Sequence, residues 1–181
     1  PSDSFKTQQP IAVARLYDNF CGYTFGGSTI AFGIYSNDQP YVPMTIEFNY
    51  FYDEAINSSV PPDINSNISR VTLARYNPLT GQCLPVKTTV NPGLRTITAI
   101  VNHLSIYQLI LVTPPTDLSN VKVFPNPFYP NRSGQGFITI TGLPDNTTLT
   151  FYTLSGQKVY DTRADSTGIA YWDGLNSKEG K

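Results

Sequence analysis

Apolar and polar residues alternate along short stretches of this chain, and turn-forming residues separate the stretches. In segment 45–50, Ile46, Phe48 and Tyr50 fall on one face of an extended strand and polar residues fall on the other. This period of two predicts half-buried β-strands, and no segment shows a sustained helical period with caps. The predicted strands are 11–17, 30–35, 45–50, 71–76, 84–90, 96–101, 106–112, 121–124, 137–141, 149–154, 158–161 and 169–172.

The best domain boundary is the segment Thr113-Pro114-Pro115-Thr116. Two consecutive prolines cannot continue a central strand, and they stiffen a short linker. After this segment the strand pattern restarts, and Ser155-Gly156-Gln157 between two strand-like runs predicts a hairpin. Short strands at this spacing indicate β-sandwiches. We therefore predict an all-β fold of two tandem β-sandwich domains, 1–114 and 115–181.

The composition limits the kinds of partner. Charged residues make up 14% of the chain and the net charge is −1, so there is no basic excess for binding a nucleic acid backbone. No run of 18 apolar residues occurs, so we expect no membrane-spanning helix. A β-rich chain whose polar surface comes mainly from Thr, Ser, Asn and Gln is typical of proteins that face the outside of a cell.

The two cysteines, Cys21 and Cys83, leave two interpretations open. They are too few for a disulfide scaffold, and their spacing fits no metal site. In an oxidising compartment they could form one bridge; otherwise they are two buried thiols. We predict no metal and no cofactor, since the oxygen-rich segment 63–67 lacks the glycine and the distal glutamate of a calcium loop.

The second half carries a series of motifs in a definite order. They are Val123-Phe124-Pro125-Asn126-Pro127-Phe128, Gly142-Leu143-Pro144, the run 149–159 with Ser155-Gly156-Gln157, and Tyr171-Trp172-Asp173-Gly174. Over residues 121–174 this part resembles the bacterial immunoglobulin-like domain of flagellar hook-capping proteins and of C-terminal secretion-sorting domains. The resemblance implies secretion or surface display, without catalysis.

Members of that family usually continue past the Trp-Asp-Gly turn into a final Gly-Val-Tyr-type strand. This sequence ends at Lys181, before such a strand. We therefore expect the second domain to be Ig-like and to lack its last strand. Two explanations remain open: a cut or disordered chain end, or a strand that another chain donates by β-augmentation.

The first half resembles the ZU5 and GAIN-type β-sandwich domains. The resemblance rests on residues 73–78, on Gly81-Gln82, and on the run 96–105 with the closing strand after it. Many relatives have a tryptophan where Cys83 stands here. Residues 1–45 match less closely.

His103-Leu104-Ser105 matches the tripeptide at which that broad group cleaves itself. The resemblance implies an N-to-O acyl shift, in which Ser105 attacks the carbonyl of Leu104 while His103 acts as general base. Strain in the turn would raise the energy of the ground state, and water would hydrolyse the ester. The alternative is a short polar turn that packs between two strands. His103 is the single histidine of the chain, which excludes a histidine-based metal cluster elsewhere.

Three functions remain as expectations. The first is a structural or adhesive module at the cell surface or outside the cell, in contact with neighbouring copies or adjacent domains of a longer chain. The second is a self-processing module, in which a single turnover at Leu104–Ser105 would not make the chain an enzyme. The third is a carbohydrate-binding module that stacks sugars on Tyr50, Phe51 and Tyr52, or on Tyr23 and Phe25, if those rings are exposed.

Overall fold

The computed structural model describes residues 10–24, 29–49, 67–130 and 136–175. The chain divides into two compact units, Pro1–Leu111 and Val112–Lys181. Strands and turns make up nearly all of the described part, which confirms the predicted all-β class; its one helical turn is a 3-10 turn at Ile68–Arg70. No helix in these ranges is long and apolar enough to cross a membrane.

The first unit contains eight described strands. They are β1 (Ala12–Leu16), β2 (Ala31–Tyr35), β3 (Met44–Asn49), β4 (Val71–Asn77), β5 (Gln82–Pro85), β6 (Lys87–Asn91), β7 (Thr96–Val101) and β8 (Ile106–Leu111). They form a five-stranded sheet in the order β1-β2-β8-β4-β5 and a three-stranded sheet in the order β3-β7-β6. Every pairing in both sheets is antiparallel.

The hydrophobic core of the first unit lies between these two sheets. Strand β7 shows why: Ile97, Ala99 and Val101 alternate with less buried residues, so one face of the strand points inward. Across from them, Leu73 of β4 and Leu109 of β8 are fully buried. The unit is therefore a β-sandwich with a single core.

One predicted strand, 84–90, is two strands in the structure. Strand β5 ends at Pro85 in the five-stranded sheet, and β6 begins at Lys87 in the other sheet. Proline has no N–H to continue the ladder, and the chain crosses between the sheets at Val86, whose N–H donates to the carbonyl of Leu73 at 2.9 Å. The single-strand prediction was wrong because both halves of the segment have a strand-like composition, which does not reveal a change of sheet.

The second unit contains five described strands in two small sheets. They are β9 (Lys122–Phe124), β10 (Ile138–Thr141), β11 (Thr148–Tyr152), β12 (Lys158–Arg163) and β13 (Ala170–Trp172). One sheet has the order β13-β10-β9, and the other is the β11–β12 hairpin predicted at Ser155-Gly156-Gln157. Their core is built on Ile140, Leu143, Ala164 and Ala170.

A close backbone contact holds the loops of the second unit together. The N–H of Leu143 donates to the carbonyl of Gly168 at 3.1 Å, and Leu143 is 2% exposed. Gly168 has a φ of +69°, and a Cβ at this position would collide with the carbonyl oxygen of Leu143. Glycine alone adopts a positive φ without strain and has no Cβ to collide with this oxygen. The contact between the Gly-Leu-Pro turn and the loop before β13 therefore depends on Gly168.

Candidate functional site

The turn His103-Leu104-Ser105 joins strand β7 of one sheet to strand β8 of the other, at one end of the first sandwich. Leu104 is 4% exposed and belongs to the core between the sheets. Burial of this apolar side chain anchors the turn. The two polar residues on either side are partly buried.

Gln39, which precedes the buried Pro40, forms two hydrogen bonds with the backbone of Leu104 in this turn. The N–H of Leu104 donates to Oε1 of Gln39 at 2.6 Å, and Nε2 of Gln39 donates to the carbonyl of Leu104 at 3.3 Å. A single carboxamide therefore satisfies the donor and the acceptor of Leu104. Sequence reasoning missed Gln39, because it lies 65 residues away in a loop without any pattern.

Ser105 is bonded to two other strands. Its Oγ donates to the carbonyl of Tyr76 on β4 at 3.2 Å, and its carbonyl accepts the N–H of Ile34 on β2 at 2.9 Å. The hydroxyl proton that a nucleophilic serine must give up is therefore directed to a backbone carbonyl.

His103 stands in a partly buried, electropositive position. Burial is the main cause that lowers the pKa of its imidazole; the nearby Arg75 guanidinium lowers it further, and a hydrogen bond with the Leu104 backbone opposes both. Its Nδ1 atom is buried and has no hydrogen-bond partner within the described ranges. At neutral pH the imidazole is therefore neutral, as a general base requires.

Tyr107 contacts the turn from the hydrophobic core of the first unit. Its hydroxyl donates to the carbonyl of His103, and the residue lies opposite Arg75 in the β4–β8 register. Tyr107 is fully buried, and this burial raises the pKa of its phenol far above the usual range. It is therefore a neutral donor at physiological pH and contributes to holding the turn.

The structure brings the three predicted residues together in a hydrogen-bonded turn, but this turn lacks backbone strain of the left-handed kind. Among the described residues, only Arg95 and Asn146 are non-glycine residues with positive φ, and cis peptides occur only before Pro125 and Pro127. Residues 103–105 thus have trans peptide bonds and no positive φ. The turn contains the serine and the histidine that an acyl shift requires. Its hydrogen bonds would equally stabilise a turn with a purely structural role.

The two cysteines form a disulfide, which settles the two interpretations left open by the sequence. Cys21 and Cys83 are bonded with a Cα–Cα distance of 5.7 Å. The bond ties the loop after β1 to the edge strand β5. Phe20 packs on Tyr76 beside it, with ring centroids 5.2 Å apart, so this loop lies across the outer face of the five-stranded sheet.

A buried glutamine fastens the same loop. Gln108 on β8 is fully buried; its Oε1 accepts the N–H of Cys21, and its Nε2 donates to Oδ1 of Asn19 and to the carbonyl of Tyr23. Every polar group of this amide that faces the loop has a partner. The sequence offered no sign of this role, because a glutamine within an apolar strand has no characteristic spacing.

Several other candidates lie outside the described residues. These are residues 63–66 of the oxygen-rich segment 63–67, the aromatic group 50–52, and Phe25 of the second aromatic pair. Tyr23, the other member of that pair, is partly buried, and its backbone carbonyl accepts a hydrogen bond from Nε2 of Gln108.

Two motifs of the second unit meet in space. Gly174 of the Trp-Asp-Gly turn has a φ of +81°, and a Cβ there would lie 2.7 Å from the ring of Phe128 and 3.2 Å from Pro130. Trp172 packs on Phe151 of β11, with ring centroids 4.4 Å apart. The motifs at the two ends of this unit are thus parts of one packing arrangement.

Strand β11 has a free edge. It pairs with β12, and no other strand of the described ranges pairs with it. The N–H of Ala164 donates to the carbonyl of Thr147 at 2.8 Å, so these two residues are a hydrogen-bonded pair of the β11–β12 ladder. In an antiparallel ladder such pairs recur at every second residue. By that alternation Leu149 and Phe151 bond to β12, and Thr148 and Thr150 direct their backbone groups to the free edge.

Comparison with protein-family models, with curated proteins and with solved structures finds no match for this chain.

Proposed function

We propose that this chain is a structural or adhesive module of an extracellular or cell-surface protein, which associates with neighbouring copies or adjacent domains by strand addition at β11. The observation that carries the proposal is the free edge of β11. Backbone donors and acceptors on a strand edge are a template for another strand. The bulge between Phe151 and Tyr152 interrupts the ladder only at the end of the strand.

Side chains around this edge support an interface. Tyr152, at the end of β11, is 61% exposed, and Leu154 in the hairpin turn is fully exposed. The outward side chains of Thr148 and Thr150 are uncharged. An edge without Lys, Pro or an inward-pointing charge is poorly protected against pairing, which favours a partner.

The Cys21–Cys83 bond supports the proposed location. Structural disulfides form and persist in oxidising compartments and are rare where thiols are kept reduced. The low content of charged residues is in keeping with this location. The resemblance of the second half to secreted and surface-displayed immunoglobulin-like domains points in the same direction.

Sedimentation velocity over increasing concentration tests strand addition. We expect the wild-type chain to self-associate, and Thr150→Pro to remain monomeric because the proline removes an N–H that points to the free edge and not to β12. Thr150→Val, which keeps the N–H, is the matched control and should associate like the wild type. A wild-type chain that stays monomeric at millimolar concentration, or equal association of both variants, overturns the proposal.

A second candidate function is self-cleavage between Leu104 and Ser105. It is favoured by the neutral imidazole of His103, whose buried Nδ1 has no hydrogen-bond partner in the described part of the chain, and by the Gln39 donor on the Leu104 carbonyl. The mass of the denatured chain after long incubation tests it. Fragments 1–104 and 105–181, absent in Ser105→Ala, are the expected result, and an intact wild-type chain refutes self-cleavage.

A further inference from the structure

The carbonyl oxygen of Leu104 is the atom on which negative charge would develop during self-cleavage. Attack by Oγ of Ser105 on the Leu104 carbonyl carbon converts that oxygen to an oxyanion. In the structure, Nε2 of Gln39 donates to this oxygen at 3.3 Å. We propose that Gln39 is the oxyanion donor of the acyl shift, an inference that rests on the self-cleavage proposal above.

The orientation of the Gln39 amide follows from its chemistry. The N–H of Leu104 requires an acceptor and lies 2.6 Å from one end of the amide, so that end must be oxygen. The NH2 end then faces the Leu104 carbonyl. The same side chain that holds the turn is therefore pre-oriented toward the reacting oxygen, and no rotation of the amide is needed during the reaction.

The reaction balances with the groups present and water. The Ser105 hydroxyl must first rotate away from the Tyr76 carbonyl to which it donates. Its proton then passes to the neutral imidazole of His103, the Oγ–C bond forms, and the C–N bond of the Leu104–Ser105 peptide breaks as its nitrogen takes that proton. Water then adds to the resulting ester, leaving a carboxyl group on Leu104 and a free hydroxyl and amine on Ser105. Gln39 takes no proton; it stabilises the oxyanion of the tetrahedral intermediate and the negative charge that develops in the transition states on either side of it.

The two hydroxyl groups of the turn region, those of Tyr107 and Ser105, donate to atoms other than the Leu104 carbonyl. The hydroxyl of Tyr107 donates to the carbonyl of His103, one peptide earlier. The hydroxyl of Ser105 donates to the carbonyl of Tyr76. Tyr107→Phe therefore loosens the turn without touching the Leu104 carbonyl, which makes it the control for a purely structural effect.

The experiment compares cleavage rates of the full chain, measured by mass under denaturing conditions, for wild type, Gln39→Ala, Gln39→Glu and Tyr107→Phe. Neutral hydroxylamine is added in a parallel series, since it traps the ester and reports the shift separately from hydrolysis. Loss of one oxyanion donor costs about 100-fold or more in rate. We expect that loss in both Gln39 variants, while Tyr107→Phe stays within a few-fold of the wild type.

Gln39→Glu separates the two roles of the side chain. Its carboxylate still accepts the N–H of Leu104, but it places negative charge beside the developing oxyanion. Cleavage of Gln39→Glu at the wild-type rate overturns the role of Gln39 and leaves self-cleavage standing. If the cleavage rate follows the melting temperature in all variants, Tyr107→Phe included, the role of Gln39 is also overturned. A wild-type chain that stays intact with and without hydroxylamine overturns both this role and self-cleavage.

Discussion

The backbone N–H of Cys21 donates a hydrogen bond of 3.0 Å to Oε1 of Gln108, a residue 87 positions further along the chain. The loop after β1 is thus attached to the sheet at two neighbouring places. One is the covalent bond to Cys83 and the other is this buried amide. The two attachments can be tested separately.

Gln108→Leu should destabilise the first unit. Leucine is similar in size but leaves the N–H of Cys21, Oδ1 of Asn19 and the carbonyl of Tyr23 without their partner. Each buried polar group without a partner costs roughly 1–3 kcal/mol, so a loss of about 3 kcal/mol in the free energy of unfolding is expected in urea titrations. Gln82→Leu, at an exposed position of the same unit, should change stability little; equal effects would contradict the buried-network account.

Removal of the disulfide with the pair Cys21→Ala and Cys83→Ala should also destabilise the first unit. The bond closes a loop across a sequence separation of 62. In the chain-entropy description such a loop contributes about 4 kcal/mol, mainly by restricting the unfolded state. Urea unfolding of the oxidised, the reduced and the double-variant protein measures it. Two reactive thiols in the native, unreduced protein would contradict the bond itself.

Stability should fall when the pH drops from 7.5 to 5.5, because of His103. Burial and Arg75 lower the pKa of His103 in the folded state. Around and below pH 6.5 the unfolded chain therefore binds a proton that the folded chain does not, and stability is lost as the pH falls from the unfolded toward the folded pKa. Urea unfolding at both pH values should show a smaller change in His103→Gln; an unchanged difference would place its origin elsewhere.

Gly168→Ala should destabilise the second unit more than Gly156→Ala. Both glycines have positive φ, +69° and +82°, so both variants bear the strain of a left-handed alanine, about 1–2 kcal/mol. A Cβ at 156 meets no atom within 4 Å, whereas at 168 it meets the backbone carbonyl of Leu143. Thermal unfolding should therefore separate the two variants by roughly a further 1–3 kcal/mol. Equal losses of stability in the two variants would show that the backbone at residue 168 can shift to accommodate a Cβ.

Much of the fold could be predicted from the sequence because strand formation leaves a local pattern. Ile97, Ala99 and Val101 alternate with their neighbours, and the structure places them on the inner face of β7. Ser155-Gly156-Gln157 predicted the β11–β12 hairpin, since turn chemistry is also local. The His103-Leu104-Ser105 turn was placed correctly between two strands for the same reason.

The remaining features depend on residues that are distant along the chain. No pattern in the sequence links Gln39 to Leu104 or Gln108 to Cys21, because hydrogen bonds between loops and strands have no periodic spacing. The division of segment 84–90 between two sheets and the choice of a disulfide over two thiols were likewise decided by which strands lie beside each other. The sequence by itself determined the all-β class, the turns and the position of the candidate tripeptide through short-range steric and hydrophobic preferences. Only the tertiary structure decided which polar groups surround that tripeptide, since the sandwich brings together side chains that are tens of residues apart.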